Sequence, residues 1–285
     1  GSVPPNATEI YQEGIRIPPL KLREGNEFNH TLVEMLKLNV RVPQVFMGDI
    51  GAQISACTVG ARRISELADR YGYGQTLQIF NELLDRSELL TRKALEAIPD
   101  GTYSYVDYLD NDGVNLDESV RIQVAVTLRG SELHCDFEGT DPQTRGPFNA
   151  VQSGSQAAAY YAVRAVTDSS IPTNGGCFRP VSLHLPEGTL VNPVEPAPVN
   201  SRTATLKRIA GSIVGALKGA LPDKIPADSA GELLVLSLGG KNLSGKPYVV
   251  GEFNAGGSGG GPRKDGVDVI AVSYTHLTLP TSDLV

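Results

Sequence analysis

The stretch Val120-Arg121-Ile122-Gln123-Val124-Ala125-Val126-Thr127-Leu128-Arg129-Gly130-Ser131-Glu132-Leu133-His134-Cys135-Asp136-Phe137 carries the strongest folding signal of the chain. Apolar residues fill every second position over residues 120–128, which is typical of a strand with one buried face. Arg129-Gly130-Ser131 has the composition of a turn, and the alternation resumes over residues 133–137. The stretch therefore predicts an antiparallel β-hairpin with Cys135 facing the core.

Helical periodicity precedes and follows this hairpin. Apolar residues at three- and four-residue steps predict one helix over Ala52–Tyr71 and a second over about Thr76–Ala97. Similar reasoning predicts further strands at Thr102–Leu109, Val181–Leu185, Leu233–Leu238 (buried) and Tyr248–Phe253, and further helices at His30–Leu38, Gln156–Val166 and Leu206–Leu221. We therefore expect a mixed α/β (α+β) fold in which an antiparallel β-meander packs against helices.

The chain divides by composition into three segments. Residues 1–50 are rich in proline, and a domain rarely opens on such extended chain unless other residues hold it. We therefore expect them to continue an N-terminal region that precedes Gly1. Residues 51–271 are expected to form the α/β domain, which could divide into two subdomains near 190–205.

Composition argues against several classes of protein. The 285 residues are 40% hydrophobic and 20% charged, which is ordinary for a globular protein. A net charge of −7 gives no attraction to nucleic acid or to anionic membranes. No apolar run is long enough for a membrane span, and the first residues show no export pattern. Because three widely spaced cysteines suit reduced thiols, we expect a cytoplasmic protein that binds neither nucleic acid nor membrane.

Acidic residues near the start form the first candidate site. Glu9 and Glu13, with Gln12 between them, could hold a metal ion or act as acid and base, or could lie in an ordinary solvated turn. Asp49 could be a ligand, or the N-cap of the helix predicted to follow it.

A second candidate site follows the hairpin. Three acids lie over Asp136–Asp141, and loops after strands often carry functional groups. Arg145 could bind a carboxylate through two parallel hydrogen bonds, and Asn149 could bind an amide. The alternative is a charged surface loop without a ligand.

A third candidate is the glycine-flanked thiol of Cys177. Arg179 lies beside it and could lower the pKa of a thiol, but a nucleophile also needs a base, and His184 is expected to point outward from a strand. The glycine-rich run Gly256–Gly261 lacks the Walker ending, so it predicts a close backbone approach or a mobile loop rather than a phosphate site.

Several strings together resemble the hydantoinase B family, in order and spacing over about Gly1–Val269. The resembling strings are Pro4–Pro19, Asn39–Pro43 with Gly48-Asp49, Pro99–Tyr103, Asp136–Thr140, Arg145–Ala150 and Asn174–Pro180. The family has a similar start, which implies that Gly1-Ser2 is native.

The resemblance implies an activity. Members of this family pair with a hydantoinase A-type subunit and open cyclic amides such as hydantoin or 5-oxoproline. The A-type subunit is thought to use ATP to phosphorylate the ring carbonyl, and the B-type subunit then completes hydrolysis. The fragment alone is expected to be inactive. Two alternatives stay open: an acetone-carboxylase-type alpha subunit on the same scaffold, and an inactive fragment that only assembles with its partner.

The resemblance also implies a site. A divalent metal is expected in the complete subunit, with its ligands upstream of Gly1, so that the Glu9–Glu13 region lies at the edge of the site. The expected catalytic residues are Glu9, Glu13 and Asp49, and the expected substrate-binding residues are Gln12, Arg16, Arg145, Asn149, Cys177 and Arg179.

The last residues differ from the family. Val272-Ser273-Tyr274-Thr275-His276-Leu277-Thr278-Leu279-Pro280-Thr281 matches the translation of a transposon-type sequencing adapter. We therefore expect residues 272–285 to be non-native and His276 to have no function. Codons unlike those of the adapter would contradict this expectation.

Overall fold

A computed structural model describes residues 4–229, 233–262 and 264–268. The chain divides into two units. We call residues 14–85 and 237–251 the helical unit, and residues 4–13, 86–236 and from 252 onward the sheet unit. Residues 190–205, where the sequence suggested a division, lie within the sheet unit. The predicted non-native residues 272–285 lie outside the described residues.

The helical unit begins with short elements. Strands β1 (Arg23–Glu24) and β2 (Glu27–Phe28) pair antiparallel, and helix α1 spans His30–Leu38, as predicted. The side chain of Asn29 caps α1 by accepting a hydrogen bond from the N–H of Leu32 at 3.1 Å. Such a cap satisfies one of the free N–H groups at a helix start.

Two long helices follow, α2 (Pro43–Tyr71) and α3 (Tyr73–Glu96), of which α3 continues into the sheet unit. The prediction that the first of them starts at Ala52 is wrong by nine residues. Pro43 occupies the first turn, where its fixed φ and missing N–H are tolerated. Asp49 therefore lies inside α2, and the alternative that it caps the helix is wrong. The apolar repeat that predicted the helix was recognised only from residue 52 onward, and no residue of α2 is buried, so the repeat did not mark where the helix begins.

A four-stranded sheet organises the sheet unit. Its strands are β3 (Gly101–Leu109), β4 (Val120–Arg129), β5 (Glu132–Asp136) and β6 (Val181–His184), in the order β3-β4-β5-β6. The first three run antiparallel, which confirms the predicted meander and hairpin, and β6 pairs with β5 in parallel. A parallel pair needs a crossover, and helix α4 (Gln152–Val166) lies in that connection.

Helices α4 and α5 (Arg202–Ala216) pack against each other, and α5 packs on the sheet. Both start four residues earlier than predicted, and a 3₁₀ turn at Leu217–Gly219 follows α5. The largest fully buried side chains of the core are Leu95, Ile122, Val124, Val126, Leu128, Leu133, Phe137, Val163, Leu190, Ile209, Ile213 and Leu217. Cys135 is fully buried among them, as predicted. The mixed α/β fold with helices packed on an antiparallel sheet is thereby confirmed.

Strands β7 (Leu233–Lys241) and β8 (Pro247–Ala255) form a separate two-stranded sheet. The prediction that the first of them is buried is wrong at the positions whose side chains are described, because Leu236 and Leu238 are 47% and 50% exposed. Within the described part of the chain, no helix is long and apolar enough to cross a bilayer.

Candidate functional site

The N-terminal segment 4–13 is fixed to the sheet unit at several points. Ala7 is buried, and the N–H of Ile10 donates to the carbonyl of Pro196 at 2.9 Å. The carbonyl of Pro5 lies so close to Gly113 that an added Cβ would come within 2.2 Å of its oxygen. Glycine is therefore required at position 113, where φ is also +83°.

Glu13 ends this segment and binds backbone far along the chain. Its carboxylate accepts hydrogen bonds from the N–H of Val199 at 2.9 and 3.0 Å, and from the N–H of Asn200 at 2.8 Å. Both N–H groups come just before α5, whose N-cap residue Ser201 makes no side-chain cap bond. The side chain predicted to be catalytic thus has both its carboxylate oxygens engaged by backbone.

Asp112 organises the neighbouring turn. Its carboxylate accepts from the N–H groups of Val114 at 2.8 Å, Asn115 at 2.6 Å and Gly146 at 3.0 Å. Burial works to raise the pKa of Asp112, but these backbone donors together hold it below its usual range. The carboxylate therefore stays ionised at neutral pH and ties the turn to the loop that contains Gly146.

Asn149 holds that loop from inside. It is fully buried, and its Oδ1 accepts from the N–H of Thr144 at 2.8 Å. Its Nδ2 donates to the carbonyls of Thr144 at 2.9 Å, Gly146 at 3.0 Å and Pro198 at 3.0 Å. These contacts favour a structural role, and substrate binding by Asn149 stays a prediction.

The segments 4–13, 111–118, 144–149 and 196–202 thus meet through hydrogen bonds, and we call them the loop junction. The N–H of Ser201 donates to the carbonyl of Pro147 at 2.9 Å, and a guanidinium nitrogen of Arg202 donates to the carbonyl of Val199 at 3.3 Å. Glu13 and Asn149, two predicted site residues, are brought together here on the backbone of residues 198–200.

Arg145 belongs to the same junction but has a different environment. Its side chain is exposed. Among the described residues, its guanidinium has no hydrogen-bond or ion-pair partner. The five N–H donors of a guanidinium form a planar fork that suits a carbonyl or carboxylate group, so substrate binding by Arg145 stays a prediction.

The other predicted residues of the N-terminal region are exposed. Glu9 precedes the 3₁₀ turn Ile10–Gln12 without capping it, and the side-chain oxygen of Gln12 accepts from the N–H of Thr8 at 2.7 Å. Arg16 and Asp49 belong to the helical unit and lie outside the loop junction. Their predicted roles stay predictions.

Cys177 is fully buried in the 3₁₀ turn Gly175–Phe178, and its thiol donates to the carbonyl of Asn174 at 2.9 Å. Arg179 forms an ion pair with Glu88 at 3.0 Å. The hydrogen bonds from Arg179 and then Arg92 lower the pKa of Glu88. Since the thiol has no exposed surface and Arg179 binds Glu88, these contacts favour structural roles, and substrate binding by either residue stays a prediction.

Sequence reasoning missed a polar cluster on the outer face of β5 and β6. His184 Nδ1 lies 2.7 Å from the carboxylate of Asp136, and His134 Nδ1 lies 2.8 Å from the hydroxyl of Ser182. Burial works to raise the pKa of Asp136, but the N–H of Glu138 and the His184 contact hold it below its usual range. The parallel register of β5 and β6 brings these residues together, and no local sequence pattern indicates that register.

The glycine run packs against backbone. A Cβ on Gly259 would lie 1.8 Å from the carbonyl oxygen of Ala227, and the N–H of Ala227 donates to the carbonyl of Gly260 at 2.9 Å. This confirms the predicted close backbone approach.

The expected divalent metal does not fit the residues that the structure describes. Among them, no group of three His, Cys, Asp or Glu side chains is arranged to hold a metal ion. No step through a metal is therefore assigned to these residues, and the placement of its ligands before Gly1 stays a prediction.

Comparison with known proteins gives a consistent relationship. The family model described as Hydantoinase B/oxoprolinase matches residues 1–281. The B-type subunit of a putative D-/L-hydantoinase from Pseudomonas sp. (strain NS671) is 33% identical over 282 residues, which are 95% of this chain and 47% of that protein.

Two solved structures share the fold. The ATP-dependent caprolactamase from Pseudomonas jessenii superposes with a TM-score of 0.86 at 33% identity, over 93% of this chain and 46% of that one. Nucleotide-free acetone carboxylase also gives a TM-score of 0.86, at 19% identity, over 97% of this chain and 40% of that one, which shows the fold alone. The chain thus spans about half the length of the hydantoinase subunit and of the caprolactamase chain. With its fold and nearly its whole sequence matched, the chain belongs to the hydantoinase B/oxoprolinase family.

Proposed function

We propose that this chain is part of the B-type subunit of an ATP-dependent enzyme that hydrolyses cyclic amides together with a hydantoinase A-type partner. The observation that carries the proposal is the family match over residues 1–281. The similarity to a putative hydantoinase subunit of the same type and to a protein named ATP-dependent caprolactamase supports the same class of substrate. The substrate class is a ring amide: a hydantoin, 5-oxoproline or a lactam.

The chemistry explains why such an enzyme uses ATP and two subunits. A planar amide is a poor electrophile because resonance delocalises its nitrogen lone pair. Phosphorylating its oxygen supplies a leaving group, and we assign that step to the partner. In this chain Arg145 is the preferred group for binding the ring substrate, since its exposed guanidinium has no partner among the described residues and can donate to a carbonyl or carboxylate oxygen.

A divalent metal in the complete subunit is part of the proposal, with ligands outside the described residues. The cytoplasm is the expected compartment, because all three cysteines are free thiols.

The decisive experiment assays the complete B-type subunit that contains this chain, alone and with a hydantoinase A-type subunit from the same source. Caprolactam, hydantoin and 5-oxoproline are each supplied with ATP, and ring-opened acid and ADP are measured. We expect ring opening only when both the partner and ATP are present. Ring opening by the B-type subunit without its partner would contradict the dependence on a partner.

Carboxylation is the alternative reaction, since acetone carboxylase shares the fold. A parallel assay supplies acetone or acetophenone with bicarbonate and ATP. A carboxylated product without ring opening would replace the proposed hydrolysis. Stable assembly of the complete subunit with the partner, and no product in either assay, would favour the alternative that it only assembles.

A further inference from the structure

We propose that Glu13 is a positioning residue that fixes the backbone of residues 198–200 and, through it, the loop that carries Arg145. The catalytic consequence rests on the proposed function, whereas the structural part does not. The sequence had suggested acid or base chemistry for Glu13, and the geometry points to a different role.

The first step of the argument is the geometry of the carboxylate. One oxygen accepts from both Val199 and Asn200, at 2.9 and 2.8 Å, and the other accepts from Val199 at 3.0 Å. A group that shuttles protons needs a lone pair directed at the substrate, and here both oxygens face backbone N–H groups of the protein itself. Carboxylate oxygens suit this place because their lone pairs accept hydrogen bonds from backbone N–H groups.

The second step concerns the backbone that Glu13 holds. We call the hydrogen bonds from Val199 and Asn200 to Glu13 the clamp. Glu13 holds the peptide groups on both sides of Val199, through the N–H groups of Val199 and Asn200, and Arg202 adds a hydrogen bond to the carbonyl of Val199 at 3.3 Å. Asn149 binds the preceding carbonyl, that of Pro198, at 3.0 Å. Residues 198–200 are thus held by side chains. Glu13 lies 186 positions before Val199 in the sequence, and Asn149 lies 49 positions before Pro198. The start of α5 also lies at the positive end of a helix dipole, which favours a nearby carboxylate.

The third step connects the clamp to Arg145. The N–H of Ser201, directly after the clamped residues, donates to the carbonyl of Pro147 at 2.9 Å. Pro147 lies two residues beyond Arg145 in a loop that Asn149 and Asp112 also hold, through the carbonyl and the N–H of Gly146. Releasing Glu13 should therefore let residues 198–201 shift and move the loop on which the guanidinium depends.

Hydrogen exchange tests the clamp without any assay of activity. Pro196 and Pro198 have no N–H, so a peptide covering residues 196–200 reports only Ala197, Val199 and Asn200. We expect Glu13→Ala to speed exchange at Val199 and Asn200 by roughly ten- to a hundredfold, as for the loss of a charged acceptor. Glu13→Gln should have a smaller effect, because one amide oxygen can still accept. The control is Glu187→Gln, a carboxylate in the same unit but outside the loop junction, which should leave this peptide unchanged.

Kinetics of the complete B-type subunit in complex with its A-type partner test the link to Arg145. Glu13→Ala and Glu13→Gln should lower kcat/KM by up to about 100-fold through misplacement, and both limbs of the pH profile should remain. In an Arg145→Ala background, the two Glu13 substitutions should lower kcat/KM little further, because the effects of residues that act through one another are not additive. Glu187→Gln should match the wild type.

Three results would overturn the proposal. Unchanged exchange at Val199 and Asn200 in both variants would show that Glu13 does not hold this backbone. Loss of one limb of the pH profile would assign Glu13 to proton transfer, and full additivity with Arg145→Ala would remove the link between them. If the wild-type complex opens no ring at all, the proposed function fails, and hydrogen exchange still decides the clamp.

Discussion

Asp112 shows how one side chain can set the shape of the loop junction. It is 3% exposed, and it binds N–H groups both of its own turn and of Gly146, 34 residues away. A Cβ at position 146 would lie 1.6 Å from the carbonyl oxygen of Asp112, so only glycine permits this approach. The contact therefore needs both the carboxylate of Asp112, which accepts the hydrogen bond, and the glycine at position 146, which leaves room for it.

The pKa of Asp112 gives a pH-dependent prediction. Because the folded pKa lies below the ordinary value of 3.8, ionised Asp112 contributes stability above that pH and loses it as the pH falls through the lower folded value. Asp112→Asn should lower the free energy of unfolding at pH 7 by about 1–3 kcal/mol. Urea unfolding at pH 7 and below pH ~4 should show the difference from wild type shrinking in acid. A difference that stays constant with pH would contradict this account.

Individual elements were predictable where they face the core. The β4–β5 hairpin and the position of Cys135 follow from alternation, because a strand with one buried face repeats every two residues. Helix α2 was predicted from its apolar repeat over residues 52–71 although none of its residues is buried, but its start was placed nine residues too late. Periodicity can therefore indicate a helix without a buried face and still miss where that helix begins.

Helix α4 carries a prediction at this scale. Its small residues Ala159 and Ala162 are fully buried, as expected for a helix that packs close to its neighbour α5. Ala162→Leu should lower the free energy of unfolding by about 1–3 kcal/mol, since a packed core resists added methylenes. Ala165→Leu on the exposed side of the same helix is the control and should change stability by less than about 0.5 kcal/mol. Equal effects of the two changes in urea unfolding would contradict the packing of α4.

The reactivity of the three cysteines tests the fold of both units. Cys57 is exposed on α2, whereas Cys135 and Cys177 are fully buried in the sheet unit. Burial also raises the pKa of Cys135 to about 12, so its reactive thiolate is suppressed. A thiol reagent should therefore label one cysteine rapidly in the folded chain and all three in denaturant. Rapid labelling of two or three cysteines without denaturant would contradict the fold.

For the molecule as a whole, the sequence by itself determined the family, the hairpin and the apolar core positions, because these depend on local spacing. Tertiary structure alone decided what the candidate site residues contact. Glu13 meets Val199, Asn149 meets Pro198, and Asp136 meets His184 across separations of 186, 49 and 48 residues. Such hydrogen bonds leave no periodic trace in the sequence, since they depend on how loops and parallel strands are brought together in space. A carboxylate that reads as a catalytic group in the sequence can therefore become, once folded, the acceptor that holds a loop in place.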